Sequence, residues 1–224
     1  MRTPQAILWD MDGTLIDSEP YWQQAEHDIV KAHGGVWSHE DALKLVGFDL
    51  HDAARVLQHH GVELPVNDIV DFLLTSVSNR IRHHVPWREH AAATLAWIKE
   101  LNIPCALVTM SHSPVAHTFV DSAPPGTFAA VVTGDTAPRG KPHPDPYLHA
   151  AQQLGVDINQ CIAVEDSPPG ITSAMASGAH TIAIQAILPV KRRDRLSRIA
   201  ELDQLTPALL DVVMNGGTVD YLTD

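Results

Sequence analysis

The stretch Asp10-Met11-Asp12-Gly13-Thr14 carries two carboxylates two positions apart, directly after the apolar run Ala6–Trp9. A short apolar run that ends in polar residues predicts a buried β-strand ending before Asp10. Two carboxylates held this close repel each other, which is costly unless a cation or a reacting group lies between them. The pair therefore predicts a reactive or cation-binding site at the end of this strand.

Three later segments repeat the pattern of an apolar run followed by polar residues. Thr109 follows one run, Lys141 lies in the approach to Gly140-Lys141-Pro142, and Glu165 and Asp166 follow another run. In a doubly wound sheet, ligands bind beyond the carboxyl ends of the strands, where the strand order reverses. We therefore expect these four side chains to converge on Asp10.

The alternation of apolar runs and helical patterns indicates the fold class. Five continuous apolar runs predict strands that are covered on both faces: Ala6–Trp9, Pro104–Val108, Ala129–Thr133, Cys161–Val164 and Thr181–Ile184. Helical patterns lie among them at Trp87–Leu101, Ser113–Val120, Pro144–Leu154 and Pro168–Ser177. Strands that alternate with helices predict an α/β fold with a doubly wound parallel sheet.

Residues 18–86 interrupt this alternation, since they contain no convincing strand. Their patterns predict helices near Tyr21–His33, Ser38–Val46, Asp52–His60 and Asn67–His83. We therefore predict a catalytic core of residues 1–17 and 87–224, with an inserted helical cap of residues 18–86.

The segment after residue 188 is less regular. Lys191-Arg192-Arg193-Asp194-Arg195 is a local basic cluster, which we expect to begin a solvated helix, with partner binding as the alternative. Ala208–Met214 is expected to form one last helix or strand.

Composition excludes some classes of partner. The chain has 224 residues, of which 15 are Lys or Arg and 27 are Asp or Glu, so its formal net charge is −12. This charge disfavours binding to nucleic acid or to an anionic membrane through a basic surface. No long apolar segment predicts a membrane span, and the early Asp10 argues against a signal peptide. Cys105 and Cys161 are expected to be buried thiols, so we expect a reducing, cytoplasmic location. We also expect the protein to be a monomer.

The four polar segments, in this order, resemble the four motifs of the haloacid dehalogenase superfamily. The longer strings Gly140–Asp145 and Val164–Gly170 are the more specific parts of a resemblance that covers nearly the whole chain. The resemblance implies a Rossmann-like core with a helical cap at the insertion point given above. It is closest to the branch that contains β-phosphoglucomutase and the phosphoglycolate and sugar-phosphate phosphatases.

Phosphoryl transfer requires an in-line nucleophile, neutralised phosphoryl oxygens and a proton for the leaving oxygen. Asp10 suits covalent attack, which forms an aspartyl phosphate. Asp12 suits the general acid that later becomes the general base. The Thr109 hydroxyl and the Lys141 ammonium suit phosphate binding.

A divalent cation would relieve the crowding of acidic groups. Mg²⁺ prefers carboxylates, waters and substrate phosphate as ligands. We assign as its ligands the carboxylates of Asp10 and Asp166 and the main-chain carbonyl of Asp12, with Glu165 as a further candidate.

The favoured function is a Mg²⁺-dependent phosphatase that hydrolyses a small phosphorylated metabolite, such as a sugar phosphate. Haloacid dehalogenases proper lack the second acid of the pair, so Asp12 favours phosphoryl chemistry. A catalytically silent phosphate-binding regulatory protein is an alternative from another class, but it would be expected to lose Asp10 or Asp12.

A β-phosphoglucomutase-type mutase is the nearer alternative. By local alignment, the cap of the mutase carries His, Arg and Lys where this chain has Trp22, Leu50 and Ser78. Each departure removes a group that would handle a second phosphate, although Arg80 or Arg82 could replace the lysine. Hydrolysis is therefore favoured over the mutase.

Four residues in or beside the cap are candidates for contact with the substrate. Asp17 could contact the substrate or the general acid, or it could cap the helix that follows. Trp22, Phe48 and Arg80 could face the substrate, and a packed cap interior is the competing role for the two aromatic residues.

Overall fold

In the computed structural model, which describes residues 2–45, 48–186 and 189–222, the strands form a six-stranded sheet. All neighbouring strands in it are parallel, and the spatial order is β3-β2-β1-β4-β5-β6. The strands are β1 (Ala6–Trp9), β2 (Cys105–Val108), β3 (Ala130–Val132), β4 (Cys161–Glu165), β5 (His180–Ile184) and β6 (Leu196–Ile199). The predicted α/β fold with a doubly wound parallel sheet is confirmed.

The helices of the described residues fall into two groups. Between β1 and β2 lie α1 (Glu19–Ala32), α2 (His39–Leu45), α3 (Leu50–His59), α4 (Val66–His83) and α5 (Ala91–Glu100). The later strands are followed or joined by α6 (Ser113–Ser122), α7 (Asp145–Leu154), α8 (Pro168–Ser177) and α9 (Pro207–Met214), with short 3₁₀ turns at Ile158–Gln160 and Leu202–Gln204.

Both faces of the sheet are covered, which explains why its strands are continuous apolar runs. Ile7 and Trp9 belong to the same buried cluster as the apolar residues of α5, α6 and α9. Ala6 and Leu8 point to the opposite face and pack in a second cluster with α7 and α8. Successive side chains of a strand alternate between faces, so a buried strand must be apolar at every position.

The inserted helices α1 to α4 pack on one another and on the core. α4 packs against α1 and α3 and also against α6. The two chain crossings lie side by side, because the Asp17 N–H donates to the Pro86 carbonyl at 2.9 Å. These four helices lie between β1 and β2 in the chain. The division into a catalytic core of residues 1–17 and 87–224 and a cap of residues 18–86 stays a prediction. The predicted helix end at Val46 lies outside the described residues.

Two expectations for the core are wrong. The predicted helix at Trp87 begins only at Ala91, because the preceding His90 is in the left-handed region at φ 64° and Ile16 forms an antiparallel bridge with Trp87. The basic cluster Lys191–Arg195 does not begin a helix but leads through a turn into β6.

The segment that forms β6 is not a continuous apolar run, because it contains Ser197 and Arg198. Arg198 is buried, and its Nε and Nη2 donate to the two carboxylate oxygens of Asp220 at 3.0 and 2.9 Å. A buried arginine is tolerated where such pairing satisfies its charge. The last segment, Ala208–Met214, is helical as part of α9.

Cys105 and Cys161 are free and buried, as expected. Among the described residues, no helix combines the length and the apolar character that crossing a bilayer would require.

Phe119 of α6 joins the second chain crossing to the core, since its ring packs between those of Trp87 at 5.2 Å and Phe128 at 5.9 Å. We expect Phe119→Ala to lower the free energy of unfolding by about 3–5 kcal/mol, because it leaves a large cavity. Phe72→Ala is the control, since Phe72 is 39% exposed and should cost less than about 1 kcal/mol. Equal losses in urea titrations of the two variants would contradict this packing.

Candidate active site

The polar segments meet because their strands are neighbours. Asp10 follows β1, Thr109 follows β2, and Glu165 ends β4, with Asp166 directly after it. β1 lies between β2 and β4 in the sheet, so the three carboxyl ends adjoin one another. The crossover from β3 back to β4 makes this the point where strand order reverses, which is where such sheets bind ligands.

Lys141 brings the fourth segment into the same place and is buried, with its side chain only 3% exposed. Its Nζ lies 2.6 Å from Asp10 Oδ1, 2.6 Å from Glu165 Oε1 and 2.8 Å from the Val108 carbonyl oxygen. Burial alone would lower the pKa of Lys141, but the carboxylates of Asp10 and Glu165 raise it above its ordinary value. Lys141 is therefore a permanently charged link between two acidic groups.

Glu165 holds Lys141 from a fully buried position in which donors surround both carboxylate oxygens. The Tyr147 hydroxyl donates to Oε1 at 2.8 Å. Oε2 accepts from the N–H of Asp166 at 3.1 Å and from the N–H and hydroxyl of Ser167 at 3.2 and 3.1 Å. With every lone pair occupied, this carboxylate positions its neighbours more than it offers a free ligand.

Asp12 is oriented by three hydroxyl groups. Its Oδ2 accepts from Thr109 Oγ1 at 3.1 Å and from Ser111 Oγ at 2.8 Å, and its Oδ1 accepts from Ser18 Oγ. Thr109 Oγ1 in turn accepts from the Ser111 N–H at 2.9 Å. A carboxyl group held this way is aimed before any ligand arrives, which suits a proton donor and acceptor.

The turns around the site can also receive an anion. The backbone N–H groups of Met11, Asp12 and Met110 have no acceptor within the described part of the chain. Gly13 has φ +87°, and a Cβ at this position would lie 2.3 Å from Asp166 Oδ2, so only glycine fits the turn. Unpaired N–H groups beside Asp10 and Thr109 are the donors that phosphoryl oxygens require.

The donor set fits a hard cation. One carboxylate oxygen each of Asp10, Glu165 and Asp166 lies within 4.8 Å of the others. Burial, and after it the charge of Glu165, raises the pKa of Asp166 to about 7, and burial raises the pKa of Asp10 in spite of Lys141. Burial and the neighbouring carboxylates thus both disfavour the ionised forms of Asp10 and Asp166, and a bound divalent ion would favour them. Because the oxygens of Glu165 are already occupied, Asp10 and Asp166 are the open carboxylates.

These groups line a cavity of about 1380 Å³ between the core and the inserted helices. The predicted residues that reach it are Asp10, Asp12, Asp17, Phe48, Lys141 and Asp166. The residues from the insertion that line it include Glu19, Gln23, Phe48, Asp49 and Leu50.

Trp22 and Arg80, also proposed to face the substrate, are not part of this lining. Trp22 packs against the buried apolar cluster of the insertion. Arg80 Nη2 pairs with Asp28 Oδ2 at 2.7 Å. Asp17 does not cap α1, since its side chain makes no such bond, but it is exposed to the cavity.

The sequence patterns did not indicate four residues of the site: Ser18, Arg88, Ser111 and Tyr147. Ser111 lies two positions after Thr109, so its proximity to the motif was a usable signal. In the sequence, Tyr147 looks like an ordinary apolar residue on the buried face of α7, so nothing marked it as part of the site. Arg88 Nη1 and Nη2 donate to the carbonyl oxygens of Gly13 and Gln185 at 2.6 and 2.9 Å, a long-range contact without a local signature.

Comparison with known proteins agrees with this geometry. Residues 7–184 match the family model of the haloacid dehalogenase-like hydrolases. The chain belongs to this family. Hexitol phosphatase A of Escherichia coli (strain K12) is 32% identical over 208 residues, which cover 90% of this chain and 93% of that protein. Hexitol phosphatase B of the same strain is 29% identical over 198 residues, covering 83% and 87%.

The structural neighbours include the crystal structure of CbbY from Rhodobacter sphaeroides in complex with phosphate. It has a TM-score of 0.81 and 25% identity, and the match covers 93% of this chain and 99% of that one. Together with the retained Asp10 and Asp12, these relatives make this family member a phosphoric monoester hydrolase, as the motifs predicted.

The variant Tyr147→Phe tests whether Tyr147 helps to position Lys141 by holding the Glu165 carboxylate. Tyr147→Phe removes the hydrogen bond to Glu165 Oε1, so that Lys141 is held less firmly against Asp10. We expect kcat for p-nitrophenyl phosphate to fall about tenfold, the equivalent of one hydrogen bond. Tyr221→Phe is the matched control, since Tyr221 is 50% exposed and should keep full activity. A Tyr147→Phe enzyme as active as the control would remove Tyr147 from the site.

The variant Gly170→Ala tests whether the close approach of α8 to Glu165 is needed for stability and activity. Alanine normally favours a helix over glycine by about 1 kcal/mol, but a Cβ here would lie 1.8 Å from Glu165 Oε1. We therefore expect Gly170→Ala to lower stability by about 1–3 kcal/mol and activity by at least about tenfold. Ala176→Gly in the same helix is the control, which should cost about 1 kcal/mol while kcat is kept. Thermal melts and initial rates of the two variants measure both effects.

Proposed function

We propose that this chain is a Mg²⁺-dependent phosphatase that hydrolyses a small phosphorylated metabolite, a sugar phosphate or similar monoester, through an aspartyl phosphate on Asp10. The observation that carries the proposal is the buried contact of Lys141 Nζ with Asp10 Oδ1 at 2.6 Å, beside an Asp12 that three hydroxyls orient. Fixing one oxygen of Asp10 leaves the other to attack.

In the first step, the free carboxylate oxygen of Asp10 attacks phosphorus. An oxygen–phosphorus bond to Asp10 forms while the ester oxygen–phosphorus bond breaks, and Asp12 gives its proton to the leaving oxygen. In the second step, Asp12 takes a proton from water as the water oxygen attacks the same phosphorus. Inorganic phosphate leaves, and Asp10 is restored as a carboxylate.

The phosphoryl oxygens require donors at each stage. The N–H groups of Met11, Asp12 and Met110 and the Lys141 ammonium supply them in our proposal. Asp10, Asp166 and the main-chain carbonyl of Asp12 would hold Mg²⁺, which supplies charge neutralisation when bound. Glu165 then serves to hold Lys141 in place.

The substrate class rests on the relatives and on the cavity. The named relatives are hexitol phosphatases, and the CbbY structure contains phosphate. A cavity of about 1380 Å³ is large enough for a sugar monophosphate beside the reacting groups. We infer further that the enzyme works as a cytoplasmic monomer without nucleic-acid or membrane partners, which its net charge of −12 supports.

A mutase would need a cation for a second phosphate, but the described residues that the inserted helices contribute to the cavity lining include no lysine, arginine or histidine. Leu50 lines the cavity, Ser78 is buried, and Trp22 packs against apolar neighbours. Arg80, the possible replacement for the lysine of the mutase, is paired with Asp28. These placements support hydrolysis.

The decisive experiment measures phosphate release from p-nitrophenyl phosphate and from a panel of phosphorylated metabolites, before and after removal of metal with a chelator. We expect activity to vanish with the chelator and to return with Mg²⁺. Asp10→Asn should abolish turnover, and Asp12→Asn should lower it about 10²–10⁴-fold. Asp121→Asn is the control, because Asp121 is an exposed acid away from the site.

Turnover that persists after removal of the metal would contradict the proposed Mg²⁺ dependence. The absence of turnover with every ester would favour a catalytically silent phosphate-binding protein. Conversion of β-glucose 1-phosphate to the 6-phosphate without phosphate release would establish the mutase instead.

A further inference from the structure

The charges that line the cavity are divided unevenly between the core and the insertion. The basic lining residues are Arg88, His112 and Lys141, all from the core. Among the described residues of the insertion, the lining contains no lysine, arginine or histidine. It carries Glu19 and Asp49 instead, with Asp17 at the first crossing. The half of the cavity that faces the leaving group is therefore acidic.

Glu19 stands next to the leaving-group position. The preceding residue, Ser18, donates its hydroxyl to Asp12 Oδ1, and Asp12 must reach the leaving oxygen. Burial raises the pKa of Glu19, and the nearby charge of Asp12 adds to this effect. The Gln23 amide donates to Glu19 Oε1 at 3.5 Å, and Glu19 lines the cavity, so its carboxylate can accept further hydrogen bonds there.

Two of the three basic lining residues of the core already have partners. Lys141 lies 2.6 Å from each of two carboxylates. Arg88 donates to the carbonyl oxygens of Gly13 and Gln185. Within the insertion, Asp49 is fixed at the start of α3, where its Oδ1 accepts from the His51 N–H at 2.9 Å. A second anionic group on the substrate would meet repulsion from Glu19 and Asp49, whereas hydroxyl groups would find acceptors.

We propose that Glu19, assisted by Asp49, makes this enzyme select hydroxyl-rich monophosphates whose leaving group carries no further negative charge. The inference rests on the phosphatase function proposed above. Like-charge repulsion then works against the wrong substrate, while carboxylate oxygens accept hydrogen bonds from the right one.

A matched pair of substrates shows the effect of one additional negative charge on the leaving group. Sorbitol 6-phosphate and 6-phosphogluconate have the same carbon chain and phosphate position, but the second has a carboxylate where the first has an alcohol. At pH 8 and saturating Mg²⁺, we expect kcat/KM to favour sorbitol 6-phosphate by about 100-fold. Glu19→Gln should reduce this preference about tenfold, mainly by lowering KM for 6-phosphogluconate.

Two further variants complete the design. Asp49→Asn keeps an efficient N-cap for α3 and should reduce the preference in the same direction. Asp71→Asn removes one exposed charge of α4 that does not line the cavity, so the preference should stay as in the unmodified enzyme. Circular dichroism spectra and turnover of p-nitrophenyl phosphate verify that each variant is folded.

The outcomes separate the two proposals. Equal use of both substrates, or a preference unchanged by Glu19→Gln, overturns the charge selection and leaves the phosphatase standing. Turnover of p-nitrophenyl phosphate with neither substrate hydrolysed also overturns it, because a hydroxylated leaving group would then not be accepted. Absence of turnover with every ester overturns the phosphatase itself.

Discussion

The site depends on one buried cation. Lys141 Nζ lies 2.6 Å from a carboxylate oxygen of Asp10 and 2.6 Å from one of Glu165, with its side chain only 3% exposed. A buried ammonium is costly unless it is paired and hydrogen-bonded, and here both conditions are met. The contact joins the ends of β1 and β4 to the loop after β3, and it fixes the orientation of the Asp10 carboxylate.

The surrounding structure maintains that contact through backbone geometry as much as through side chains. Gly170 lets α8 lie against Glu165, and Gly13 lets the first turn lie against Asp166. Neither position leaves room for a Cβ. The cluster nevertheless holds more negative than positive charge, since Asp12, Asp166 and the two partners of Lys141 surround a single ammonium. Magnesium binding and phosphate binding are consistent ways of using such an arrangement, because each brings the opposite charge to a different part of it.

The inserted helices contribute to a different property. In the proposed mechanism, the core supplies the nucleophile, the proton carrier and the phosphate cation, whereas the insertion contributes Glu19, Gln23 and Asp49 to the lining of the cavity. Ser18 connects the two parts, since it precedes Glu19 in the chain and its hydroxyl donates to Asp12. The two proposals thus assign chemistry and substrate choice to separate segments of the chain.

The sequence by itself determined the parallel α/β core, the place of the insertion and the convergence of Asp10, Thr109, Lys141 and the acidic pair, because apolar runs and strand-end motifs are local signals. It missed β6, whose buried Arg198 pairs with Asp220 from a later segment of the chain. The tertiary structure alone decided that Tyr147 and Ser18 belong to the site and that Trp22 and Arg80 do not line it. The physical reason is that a side chain's partners depend on which distant segments pack beside it, and no local pattern encodes that choice.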